Sequence, residues 1–94
     1  MPTSADWRLS DAVRNGDLGQ VHALLDQGSD PNSRDRSGAP ALIWAVARSQ
    51  PELLRQLLNA GANPKLADAN GVTALMWAAW LGDLGSIDAL LEAG

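Results

Sequence analysis

His22 is the only histidine among 94 residues, and cysteine is absent. A metal site would have to combine His22 with carboxylates, since no thiolate is available as a soft ligand, and a cysteine nucleophile is excluded. Ser10, Asp17 and His22 could be written as a hydroxyl, an acid and a base for acyl transfer. They lack the strand-turn-helix elbow that presents such a hydroxyl and the loop of amides that receives an oxyanion. Gly16-Asp17-Leu18-Gly19 and Gly82-Asp83-Leu84-Gly85 have glycines suited to a phosphate cradle, but neither its lysine nor its preceding strand, so they read as turns between helices. Asp30-Pro31-Asn32-Ser33-Arg34-Asp35 has calcium-like spacing for two ligands only, and Arg34 and the missing glycine oppose it. No paired acid and base sit in a recognisable frame, so the expectation is a protein that is not an enzyme and takes no metal or cofactor.

Binding chemistry is better represented. Phe and Tyr are both absent, and the large rings are Trp7, Trp44, Trp77 and Trp80. The formal charge is −4, from 7 basic and 11 acidic residues, which argues against nucleic acid because phosphate neutralisation needs a surplus of Lys and Arg. The imbalance is local: residues 66–94 carry Asp68, Asp83, Asp88 and Glu92 and no basic residue. No polybasic tract marks a membrane surface. No apolar run approaches the roughly 20 residues of a membrane span, and the first residues lack the basic and apolar regions of a leader. The sequence predicts a cytoplasmic protein.

The elements that position these residues follow from a repeat. Leu24-Leu25, Leu57-Leu58 and Leu90-Leu91 are spaced by 33, as are Gly28, Gly61 and Gly94, the alanines Ala12, Ala45 and Ala78, and the leucines Leu9, Leu42 and Leu75. Pro31 matches Pro64, Asp35 matches Asp68 and Gly38 matches Gly71 in the same step. Each period reads as two short helices and a loop. Thr73 caps a helix over Ala74 to Leu81 that Gly82 ends, and a second helix runs from Leu84 to Ala93. Pro51 suits the first turn of a helix over Pro51 to Asn59, closed by Gly61. The first copy predicts helices over Trp7 to Asn15 and Leu18 to Gln27. Residues 29–38 and 62–71 are dense in turn formers and predict hairpin-like fingers. Helices of this length are marginal alone, so their apolar stripes must be buried against neighbours, and roughly three such units are the usual minimum for a stable stack. Leu24, Leu25, Leu57, Leu58, Leu90, Leu91 and the alanine columns are the predicted core. The column of His22 continues as Arg55 and Asp88, a pattern expected of an outward position. Trp44 and Trp77 share a column that suits packing between repeats, whereas Trp80 is matched by Ala47 and Arg14 and calls for a partner.

The repeat length, together with Gly71-Val72-Thr73-Ala74-Leu75-Met76-Trp77-Ala78-Ala79 and the loops Gly28-Ser29-Asp30-Pro31-Asn32 and Gly61-Ala62-Asn63-Pro64-Lys65, resembles the ankyrin repeat. The resemblance covers about residues 6–94 and implies an all-α solenoid of three helix-turn-helix repeats joined by finger loops. It divides a single domain, 1–94, into repeats at about 6–37, 38–70 and 71–94. Ile43 and Met76 stand where the family signature has His, and Pro40-Ala41 replaces its Thr-Pro, removing a capping hydroxyl. The resemblance further implies a concave face of first helices and fingers whose variable positions contact a partner. Those positions are Arg14 and Asn15 in the first copy, Arg36, Ser37, Ala39, Ala47 and Arg48 in the second, and Ala69, Asn70, Val72, Trp80 and Leu81 in the third.

The leading expectation is a non-enzymatic module that grips a protein partner through that face, with Arg14, Arg48, Trp80 and Leu81 as anchors. The alternative is structural. Ile87, Leu90 and Leu91 recur in the last copy as in an internal repeat, which predicts the first part of a longer array, or an end covered by another copy of the chain or by a partner.

Overall fold

The computed structural model describes residues 7–94, which form an all-α stack. Its helices are α1 (Trp7–Arg14), α2 (Leu18–Asp26), α3 (Ala41–Ala47), α4 (Pro51–Asn59), α5 (Ala74–Leu81) and α6 (Leu84–Ala93). Their ends are set by local chemistry. Asp17 and Asp83 cap α2 and α6 by accepting the amides of Gln20 and Ser86, each at 3.1 Å, and Thr73 Oγ1 accepts the Met76 amide at 3.3 Å to start α5. Pro40 precedes α3 with no side-chain cap, as its missing hydroxyl requires. The turns after α1, α3 and α5 need one left-handed residue, which is Gly16 (φ 72°), Ser49 (φ 54°) and Gly82 (φ 67°) in a single column.

The helices pair within each repeat, α1 with α2, α3 with α4 and α5 with α6, and the pairs stack so that α3 lies between α1 and α5, and α4 between α2 and α6. Two layers of helices therefore enclose the core. Leu9, Val13, Val21, Leu42, Val46, Leu53, Leu54 and Leu57 are almost wholly buried, with Ala12, Ala45 and Ala78 allowing close approach. The fingers form as expected. Arg34 and Pro40 make one isolated antiparallel bridge, and Ala67 and Thr73 another. Neighbouring fingers are tied together by Arg34 Nη1, which donates to Gly38 O at 2.9 Å and to Ala67 O at 2.6 Å, and by the Asn63 amide, which donates to Asn32 Oδ1 at 2.6 Å.

The predicted core needs correction in the last repeat. Leu91 is 63% exposed, and Leu25 and Leu58 are only partly buried against the core. Leu90 is buried, as expected of a core position. The surface that does lie open is made by Leu75 (38%), Met76 (46%) and Leu91. The equivalents of the first two in repeat 2, Leu42 and Ile43, are 2% and 4% exposed because the next repeat covers them. Among the described residues, no helix packs on the outward side of α5 and α6.

Candidate functional site

The end of each first helix and the adjoining finger converge. Asp11 and Arg14 of α1, Asp35, Arg36 and Ser37 of the first finger, and Trp44 of α3 line one concavity of 320 Å³. Arg14 pairs with Asp11 at 3.1 Å, one turn back on the same helix, and its guanidinium lies 5.7 Å from the ring centroid of Trp44. Arg36 lies over Trp7 at 4.2 Å. Asp35 holds the finger and the helix together. Its Oδ1 accepts the Ser37 amide and hydroxyl and the Ala39 amide, and its Oδ2 accepts the Trp44 indole N–H at 2.7 Å. Burial pushes the Asp35 carboxyl up, but these bonds, led by the Ser37 hydroxyl, outweigh it and hold the carboxyl below its usual value.

Three of the expected partner contacts, Arg14, Arg36 and Ser37, thus share one depression. Asn15 and Arg48 are exposed just beyond the last turns of α1 and α3, in the column that Leu81 continues at 48% exposure. Asn70 and Ala69 are exposed on the second finger, whereas Val72 and Ala47 are half-buried. Trp80 is 67% exposed and meets Trp77 edge to face, with ring centroids 5.7 Å apart. Ala39 is a correction: it is buried beneath the first finger, where its amide and carbonyl both bond Asp35, so its side chain is not available to a partner. Asp11 and Asp35 belong to the site and were not expected there. The Asp35–Asp68 match was the available signal for one, and the sharing of a column by Asp11, Trp44 and Trp77 for the other.

The residues that could have been a triad are dispersed in role. Ser10 is fully buried, and its hydroxyl donates to the carbonyls of Ser33 and Ala39, at 3.1 and 3.4 Å. Asp17 caps α2. His22 is exposed, as are Arg55 and Asp88 of its column, with its Nδ1 3.3 Å from Gln56 Nε2 on α4. Among the described residues, no cluster of three or more His, Asp or Glu is placed to hold a metal ion, and no helix is long and apolar enough to cross a membrane.

No curated protein matches the chain. The family model described as ankyrin repeats, in 3 copies, matches residues 9–94. The chain belongs to the ankyrin-repeat family, whose members are in general protein–protein interaction modules and typically not enzymes.

Proposed function

We propose that the chain is a cytoplasmic module that binds a protein partner through the concave face formed by α1, α3, α5 and the fingers, without catalysis. The observation that carries this reading is Trp80: a ring left 67% exposed beside Leu81 at 48%, in columns whose other members are polar or small, is the composition of a binding anchor. Arg14, Arg36 and Arg48 supply charged contacts along the same face, with Asn15, Ser37, Asn70, Val72 and Ala47 between them. Replacement of Trp80 by alanine is expected to weaken partner binding by about tenfold or more, the loss of one anchor, while leaving the melting temperature nearly unchanged. Unchanged binding would reject the anchor, and a large fall in melting temperature would assign Trp80 to the core.

A second reading is supported by Leu75, Met76 and Leu91: the outward face of repeat 3 is covered by a further repeat, a second copy or a partner. Light scattering that shows a monomer at every concentration would count against the second copy.

A further inference from the structure

By repeat position, the junction of repeats 1 and 2 has a counterpart where repeat 2 meets repeat 3. The residues lining the first concavity, Asp11, Arg14, Asp35, Arg36, Ser37 and Trp44, have as their equivalents Trp44, Ala47, Asp68, Ala69, Asn70 and Trp77. The finger acid and the tryptophan are kept, and both arginines become alanine.

In the first step the chain supplies its own cations. Arg14 covers Trp44, Arg36 covers Trp7, and Asp35 takes the Trp44 indole N–H. In the second step Ala47 stands in the column of the arginine that covers the tryptophan. Asp68 Oδ1 accepts the amides of Asn70 and Val72 at 2.8 and 3.0 Å, as Asp35 does in its finger. No bond joins the Trp77 indole to Asp68 among the described residues. Trp77 meets Trp80 instead, edge to face at an interplanar angle of 78°, so the two rings stand almost at right angles. Residues 66–94 carry four acidic and no basic groups, so a cation at these rings meets no like charge from that stretch, and Arg34 beside the second finger is held by the carbonyls of Gly38 and Ala67.

We infer that this second step receives an arginine side chain of the partner protein, its guanidinium set over Trp77 as Arg14 is set over Trp44, with Trp80 as the second wall and Asp68 as the counter-charge. The site rests on the concave-face reading and names the chemistry that face recognises. A planar guanidinium is suited to it because it stacks on an indole while keeping its N–H donors free for a carboxylate.

The test uses N-acetyl-arginine amide as the probe and N-acetyl-citrulline amide as its neutral isostere, followed by the indole ¹H–¹⁵N signals. The arginine probe is expected to shift Trp77 and Trp80 saturably and Trp44 least, since Arg14 already covers that ring, while citrulline has little effect. Ala47→Arg fills the site from within and is expected to weaken the response by about fivefold or more, the loss of one cation–π contact. Trp80→Ala, at an exposed position, is expected to weaken it without loss of fold. An equal response to citrulline, no saturable shift, or an unchanged response in Ala47→Arg would overturn the site. If a photo-crosslinker at Asn70 still captures the partner in any of those cases, the arginine site fails and the concave-face reading stands.

Discussion

Ser10 occupies the column of Ile43 and Met76, where the family signature places histidine, and from a fully buried position it bonds the backbone of the first finger. Because Ala41 and Asp35 also donate to the two carbonyls, Ser10→Ala leaves neither of them orphaned. It should cost about 1 kcal/mol, measured by urea denaturation. This role was hidden in the sequence because the first copy lacks the recognisable opening motif, so Ser10 stood out only as a hydroxyl near an acid. Ser49 is a second case. It takes the left-handed turn that Gly16 and Gly82 take in the other repeats, a conformation that costs an L-residue roughly 1 to 2 kcal/mol. Ser49→Gly should therefore raise the thermal midpoint, with a net gain of about 1 kcal/mol after the added freedom of the unfolded chain. Asp35 makes stability depend on acid. Its carboxyl is held below the ordinary 3.8, and Asp83, bonded by the Ser86 hydroxyl and amide, shifts the same way. A carboxyl with a lower pKa in the folded state stabilises the fold at pH above the unfolded value, and that contribution is lost as pH falls through the folded value. Urea midpoints should fall as the pH drops below about 4, and Asp35→Asn should flatten that decline.

Helices α4, α5 and α6 were readable to the residue because Pro51, Thr73, Gly82 and Gly94 punctuate them. The bounds expected for α1 and α2 run one residue too far: Asn15 and Gln27 lie between the last helical residue and the following glycine, inside the turn rather than the helix. What the column pattern could not reveal is exposure. A leucine recurring every 33 residues records a position in the repeat, not the presence of a neighbour. Leu42 lies between α1 and α5, whereas Leu75 has only the inner side covered. Leu42→Ala is accordingly expected to cost about 2 to 5 kcal/mol and Leu75→Ala well under half of that, compared by chemical denaturation. Native-state amide exchange should run in the same order. Protection is expected to be highest in α3 and α4, which have packed helices on both sides, and lower in α5 and α6.

Across the whole molecule, net charge and apolar exposure are both concentrated in the last third, where residues 66–94 have Asp68, Asp83, Asp88 and Glu92 without a basic residue and most of the exposed large apolar side chains. The charge gradient was plain in the sequence. The exposure of Trp80 was half legible: its mismatch with Arg14 and Ala47 showed that it was not a repeating core residue, but only the packing of α5 shows how much of the ring is left to solvent. On the proposed function, the face made by first helices and fingers is the one that meets a protein partner. This is tested most directly by placing a photo-crosslinking residue singly at Asn15, Arg48 and Asn70 on that face, and at His22, Arg55 and Asp88 on the outward column of the second helices. The first three positions are expected to capture the same partner and the second three to capture little. Capture from His22, Arg55 and Asp88 that equals or exceeds capture from Asn15, Arg48 and Asn70 would contradict that function.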